Sequence, residues 1–308
     1  MREKIKNGVF IMKLGFIGLG RMGFHMAERL LKHKIEVVAY NRSPEKVRQI
    51  AKKGAVPAYS TEELIEKLPG KKIVWLMLPA GKATDSMIKK VLPLLNKGSI
   101  IVDGANDFYK NAEKHDRWCK KHGVYFFDCG VSGGIWGLRN GYTLMVGGPK
   151  SQFRYIQPFC RALSAKGGYG YFGNAGAGHF VKSVHNIIEY VYLQGLAEGI
   201  ELLSKFKQPI DIIKAASVWK PASVINSWLL DLAYVALKRH DFKDISPKIG
   251  SVTINELEKT AKSINGYAPA FEVAAKIRKD MGNKFTLGKR VIAATRREFG
   301  GHGVKKDG

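Results

Sequence analysis

The six residues Gly18-Leu19-Gly20-Arg21-Met22-Gly23 constrain the fold of this chain more than any other segment. They follow a short apolar stretch, Leu14-Gly15-Phe16-Ile17, and open an amphipathic helical pattern over residues 22–33. In that context the first glycine permits a tight turn, the second lets a phosphate approach the backbone, and the third lets helix and strand pack closely. The free amides of the helix N-terminus then attract a pyrophosphate. All six residues are therefore expected at a dinucleotide site. An ordinary glycine turn is the competing reading.

The segments that follow agree with that expectation. Apolar runs at residues 35–40, 73–78, 99–103, 124–127 and 142–146 read as strands, with helical patterns between several of them. This alternation predicts an α/β Rossmann-type doubly wound sheet. The character changes at Gly173-Asn174-Ala175-Gly176-Ala177-Gly178. Beyond it, helical periodicity runs through residues 179–205, 228–237, 271–280 and 287–299. The expected domains are residues 1–177, dinucleotide-binding, and 178–308, an all-α substrate-binding and oligomerisation domain. Residues 1–12 read as an extension, with Met12 as an alternative start.

The end of the second strand bears on the cofactor. An NAD site commonly places an acidic residue there to bind the ribose hydroxyls. This chain has Asn41-Arg42-Ser43 instead. No carboxylate repels a 2′-phosphate, and Arg42 can pair with one. The expected cofactor is NADP, with NAD left open, and Arg42 as a plain surface residue is the alternative.

Three further turns fall where such sheets bind ligands, outside the carboxyl ends of the strands. Leu78-Pro79-Ala80-Gly81 follows one strand and Asp103-Gly104-Ala105-Asn106 ends another. Gly130-Val131-Ser132-Gly133-Gly134 offers a hydroxyl and unhindered amides to a carboxylate or hydroxyl. The segment Gly178-His179-Phe180-Val181-Lys182-Ser183-Val184-His185-Asn186-Ile187-Ile188-Glu189-Tyr190 carries the densest chemistry. A helix returns nearly to the same face after seven residues, so Lys182 and Glu189 align and His185 and Asn186 flank them. The intervening residues are mostly apolar, which turns this polar face toward a cleft rather than open water. An exposed Lys–Glu face is the bland alternative.

Net charge is +25 over 308 residues. That charge steers anions and favours nonspecific nucleic-acid contact. The basic residues are scattered, and no zinc finger, RNA-binding strand signature or long basic block accompanies them, so no specific nucleic-acid partner is expected. A multiply charged anionic substrate and a merely solvated surface remain alternatives. No apolar run reaches the ~18 residues that span a bilayer, and no secretory signal pattern is seen. Cys119, Cys129 and Cys160 match no metal spacing and suggest free thiols in a reducing cytoplasm.

Taken in order, Gly-Leu-Gly-Arg-Met-Gly, Asn-Arg-Ser, Gly-Val-Ser-Gly-Gly and the Lys182–Tyr190 helix resemble decarboxylating 6-phosphogluconate dehydrogenase, in the short form of that family, within the β-hydroxyacid dehydrogenase superfamily. The segments Gly137-Leu138-Arg139-Asn140-Gly141-Tyr142-Thr143-Leu144-Met145 and Arg296-Arg297-Glu298-Phe299-Gly300-Gly301-His302 are similar too. The likeness extends over nearly the whole chain after Met12. It implies oxidative decarboxylation of 6-phosphogluconate to ribulose 5-phosphate and CO2 with reduction of NADP. Lys182 is implied as the general base and Glu189 as the acid that protonates C1. A lysine acts as a base only if desolvation and neighbouring cations bring it down from about 10.4. Asn106, Ser132, Gly133, Gly134, His185, Asn186 and Tyr190 match substrate contacts, and Asn106 also borders the cofactor. No metal is implied, since the β-keto group is the electron sink.

The resemblance is weaker at the phosphate. Ser251-Val252-Thr253 stands where the family carries a basic residue followed by Trp-Thr, and Lys248 is a substitute cation. Arg278 matches a phosphate-binding arginine. Arg296 and His302 match a pair donated by the neighbouring subunit, implying a homodimer or homotetramer. Two alternatives follow: a non-decarboxylating β-hydroxyacid dehydrogenase or semialdehyde reductase, and a decarboxylating dehydrogenase of another aldonate. The set His185, Glu189 and Tyr190 argues against the first of these. A noncatalytic nucleotide- or RNA-binding protein is suggested only by the charge.

Overall fold

The computed structural model describes residues 4–5, 9–10, 12–249, 254–280, 282, 285–301 and 303–304. The sequence positions Ser251, Val252, Thr253 and His302 lie outside the described residues. Contacts divide the chain into two units, Met1–Ser183 and Val184–Gly308.

A short antiparallel pair, β1 (Lys4–Ile5) and β2 (Val9–Phe10), precedes the first unit's main sheet. The sheet comprises β3 (Lys13–Ile17), β4 (Glu36–Tyr40), β5 (Val56–Ala58), β6 (Ile73–Leu76), β7 (Ile100–Asp103), β8 (Tyr125–Ser132), β9 (Tyr142–Gly147) and β10 (Ser164–Gly173). Its order is β10-β9-β8-β7-β6-β3-β4-β5. Every neighbouring pair is parallel except β8 and β9, so the last two strands run against the rest. The helices of this unit are α1 (Arg21–Lys32), α2 (Pro44–Ala51), α3 (Thr61–Glu66), α4 (Lys82–Val91), α5 (Tyr109–Lys121), α6 (Gly137–Asn140) and α7 (Lys150–Leu163).

The strands are apolar without interruption because both faces are covered. Val37 and Ala39 pack on one side with Met26 and Leu30 of α1, Val47 of α2 and Ile156 of α7. Val38, from the same strand, packs on the other with Leu64 of α3, Ile88 of α4 and Ala112 of α5. This is the period-two alternation of a strand buried from both directions. Strand order, though not strand direction, reverses between β3 and β6, the switch point at which such sheets open a crevice. Sequence patterning missed β5, which has three residues, and β10, whose Gly167, Gly168 and Gly170 hide its strand character.

Helix α8 (Ala177–Ser204) is the longest element and runs through the division between the units. Its start is anchored in the first unit. Asp128 at 0% exposure accepts from the Gly176 amide at 2.8 Å and the His179 amide at 2.7 Å, meeting two of the donors that a helix start leaves unpaired. The helix begins so close to the sheet that a Cβ on Gly178 would lie 2.4 Å from the Met145 carbonyl oxygen.

The second unit continues with α9 (Ile212–Trp219), α10 (Trp228–Leu237), α11 (Ile254–Ser263), α12 (Pro269–Lys279) and α13 (Thr286–Gly300). Ile200, Ala216, Ala236, Ile245, Val291 and Ala294 form its main core. Arg297 closes α13 onto Asp241 with bonds of 2.8 and 3.2 Å, and this pairing holds the Asp241 carboxyl at about 2.

Asp128→Ala leaves two buried amides without an acceptor. The expected cost is about 3 kcal/mol, read as a Tm lower by roughly 6–12 °C for a domain of this size. An unchanged Tm contradicts the capping role.

Candidate active site

The dinucleotide loop is built by backbone geometry. Gly18 has φ of +102°, and a Cβ there would sit 2.3 Å from the Met77 carbonyl oxygen, so the turn between β3 and α1 requires glycine. A Cβ on Gly23 would lie 2.1 Å from the Gly18 carbonyl oxygen, which is the close helix–strand approach. Gly20 is the opposite case: nothing stands within 4 Å of where its Cβ would be. It caps α1 without a side-chain bond, and the first turn holds no acidic residue. Gly20 and the amides beyond it form an unobstructed, positively polarised cradle that fits a pyrophosphate. The Leu19 side chain is buried in the core, whereas Arg21 is exposed.

Asn41 has a structural part in this loop. Its Oδ1 accepts from the Leu19 amide at 2.9 Å and its Nδ2 donates to the Ser43 carbonyl at 3.3 Å. The residue therefore ties the glycine turn to the end of β4. Arg42 and Ser43 are exposed beside it, and Ser43 caps α2 without using its side chain. Leu78 and Pro79 follow β6, where Leu78 packs against Gly18 and the Pro79 carbonyl accepts from Thr84 Oγ1 at 2.9 Å. Asn106 is exposed on the loop after β7. These segments all leave the same carboxyl-end edge of the parallel strands.

Lys182 packs against β8 within the first unit. It is 6% exposed, and a Cβ on Gly130 would fall 2.3 Å from the Lys182 Cβ. The glycine before Val131-Ser132 is thus the space that admits the lysine. Gly133 and Gly134 follow with φ of +118° and +55°. These left-handed turns leave the amides after Ser132 uncovered by side chains.

In the second unit the remaining α8 residues meet two arginines. His185 Nδ1 lies 3.0 Å from Asn186 Oδ1, and both side chains are half-buried, as is Glu189. Tyr190 is buried between the edge of Phe271, at 5.8 Å, and the guanidinium of Arg278, whose carbon stands 3.5 Å from the ring centre. Arg278 is 3% exposed, and its three guanidinium nitrogens have no hydrogen-bond acceptor among the described residues. Burial lowers its pKa to about 10; Tyr190 and Glu189 oppose that shift and Arg296 adds to it. It is still a cation at neutral pH. Arg296 is also buried on α13 and pushed down by that burial, with Tyr190 and Glu189 opposing. The family resemblance assigns Arg296 to a neighbouring subunit, yet a single chain already brings it to Tyr190 and Glu189.

Two buried, like-charged guanidiniums thus share the surroundings of Tyr190 and Glu189. Sequence reasoning identified both arginines by resemblance alone. It missed Asp128, which anchors the start of the helix that carries Lys182. A buried aspartate in an otherwise apolar strand, directly after Phe126-Phe127, was the available signal.

The comparisons with known proteins bear on these features. Residues 13–173 match the model of the NAD-binding domain of 6-phosphogluconate dehydrogenase, and residues 178–261 match that of its C-terminal domain. The chain is 34% identical over 301 residues to the Bacillus subtilis protein YqeC, provisionally named a 6-phosphogluconate dehydrogenase, covering 96% of this chain and 100% of that one. It is 37% identical over 253 residues to an NAD-dependent, decarboxylating 6-phosphogluconate dehydrogenase of Haloferax volcanii, covering 80% and 84%. Among solved structures, Plasmodium falciparum 6-phosphogluconate dehydrogenase superposes with a TM-score of 0.79 at 28% identity, covering 86% of this chain and 61% of that one. A 3-hydroxyisobutyrate dehydrogenase of Mycobacterium tuberculosis shares the fold, with a TM-score of 0.71 at 22% identity, covering 92% and 98%. The glycine cradle, the lysine-bearing helix and these matches together show that the chain belongs to the 6-phosphogluconate dehydrogenase family.

Proposed function

We propose that this protein oxidatively decarboxylates 6-phosphogluconate to ribulose 5-phosphate and CO2 with NADP. Arg278 carries the proposal: a buried guanidinium stacked on Tyr190, with no carboxylate hydrogen bond among the described residues, suits a dianionic phosphate. Arg296 supplies a second cation to the same anion. The name of the Plasmodium structure, which includes complexes with NADP+ and 6-phosphogluconate, supports the pairing of cofactor and substrate class.

The residues divide the chemistry as follows. NADP, held at the glycine turn of residues 18–23, would supply the hydride acceptor for C3. Lys182 takes the proton of the C3 hydroxyl, and Ser132 with the amides after it holds the carboxylate. The resulting 3-keto acid loses CO2 because its ketone accepts the electron pair left behind. Protonated Lys182 donates to that oxygen, and Glu189 protonates C1 of the enediol. His185 and Asn186 orient the hydroxyls between these two groups. The three buried free thiols fit a reducing compartment, the cytoplasm. A homo-oligomer is the expected assembly.

NADP preference rests on Arg42 and Ser43 and on the lack of a carboxylate after β4. The Haloferax relative is named as NAD-dependent, so cofactor choice varies within the family. A kcat/KM for NADP at least about tenfold that for NAD, or some 1.4 kcal/mol, is expected; equal values sink the preference.

Two variants test the assignments. Lys182→Met should lower kcat by more than about a thousandfold, the upper range of general-base catalysis, with NADPH binding retained. Near-normal turnover would remove Lys182 from the mechanism. Arg278→Met should keep or raise Tm, since an apolar side chain replaces an unpaired buried charge. The same variant should raise KM for 6-phosphogluconate by about a hundredfold, roughly 3 kcal/mol for a buried charge pair, and leave KM for unphosphorylated gluconate unchanged. A lowered Tm with an unaltered KM overturns the phosphate role.

A further inference from the structure

We infer that His115 is a positioning residue: it bridges the segment after β6 to the segment after β7, and through that bridge sets the affinity for the dinucleotide. The inference rests on the dinucleotide reading of those two segments.

His115 lies on α5 at 0% exposure. Its Nε2 is 2.6 Å from Oδ1 of Asp85, in the first turn of α4. Its Nδ1 faces Oδ2 of Asp103, the last residue of β7, at 3.7 Å. That distance is long for a hydrogen bond but within ion-pair range, and neither of those two atoms has a hydrogen-bond partner among the described residues. A neutral imidazole has one N–H and one lone pair. With a carboxylate at each nitrogen, only the imidazolium presents a proton to both.

The surroundings hold the ring in place. Trp118 and Phe126 flank it at 5.3 and 5.7 Å between ring centres. From α5, Lys114 bonds the other oxygen of Asp85 at 2.8 Å, and the buried thiol of Cys119 lies near Asp103. From α4, Lys89 sits over Trp118 at 4.6 Å. From α8, His179 Nε2 reaches the Asp103 carbonyl at 3.3 Å. Oδ1 of Asp103 accepts from the Ala105 amide at 3.0 Å, so the bridge ends on the turn that carries Asn106. A second tie runs alongside: Asp107 Oδ2 accepts from the Gly81 amide at 3.4 Å. Leu78, Pro79 and Asn106 therefore belong to two loops joined twice, and one of the joints runs through a titratable ring.

The carboxylates outweigh burial and raise the His115 pKa. A group raised on folding contributes fully below its unfolded value, about 6.5, and loses that contribution as pH rises through the folded value. The bridge therefore loosens on the alkaline side.

The test measures binding of NADPH and NADH without substrate, from roughly pH 6 to 9.5, in wild type, His115→Gln and Asp85→Asn. Hydrogen exchange is followed over residues 77–86 and 103–110, with β3 as control. Wild-type affinity should fall about 3- to 30-fold across the range, in step with the His115 ring signal in NMR. Both variants should bind weakly, without that pH component, and exchange faster in the two loops while β3 is unchanged. Asp85 is partly exposed, so its variant decides the matter if His115→Gln does not fold. Wild-type affinity and pH profile in the variants overturn the inference, as does faster exchange spread equally into β3. A protein that binds dinucleotide in this way but fails to oxidise 6-phosphogluconate would refute the proposed reaction and leave the bridge standing.

Discussion

The carboxylate of Asp128 is the contact on which the site depends. It is buried at the middle of β8 and takes the amides of Gly176 and His179, so α8 can begin only where that carboxylate is. Glycines at 130 and 178 remove the side chains that would hold the helix away from the sheet. Lys182 comes one helical turn after the second capped amide and is pressed against β8 as a consequence. The anchor keeps the lysine side chain at 6% exposure against the strand. The sheet thus determines the chemistry of α8 through its first turn.

The second unit handles charge differently. Arg297 and Lys289 are used structurally and have carboxylate or carbonyl partners: Asp241 for the former, and Asp280 with the Gly282 carbonyl for the latter. Arg278 is as deeply buried as Lys289 yet has an aromatic face instead of acceptors. Folding leaves this cation desolvated and without a carboxylate hydrogen bond among the described residues, which is costly for stability. The overall charge of +25 would add long-range attraction for the same class of ligand.

Much of the first unit was legible in the sequence because its signals are local. The glycine spacing, the apolar runs and the helix following them are each read within a few residues. Two strands escaped notice, one for shortness and one for its glycines. The helical half was legible as periodicity, and α10 and α13 lie close to where the pattern placed them. The site was legible where chemistry shares one helix, from Lys182 to Tyr190. It was not legible where partners are far apart in sequence. Asp128 meets residue 176, His115 joins residues 85 and 103, and Arg278 finds Tyr190 across an interval of 88 residues. Nothing in a local window announces such pairs. The resemblance supplied Arg278 and Arg296 as names, and only the fold shows that one chain brings them to the same tyrosine.

In the proposed reaction, Lys182 as base and the arginines Arg278 and Arg296 together serve NADP reduction coupled to loss of C1 from a phosphorylated aldonate. The most direct measurement supplies 6-phosphogluconate labelled with carbon-13 at C1 and follows NADPH and labelled CO2 together. The account predicts equal molar amounts of the two, with all the label in the gas. NADPH formed while the label stays in a keto acid, or no NADPH from this substrate while an unphosphorylated hydroxy acid is oxidised, would contradict it.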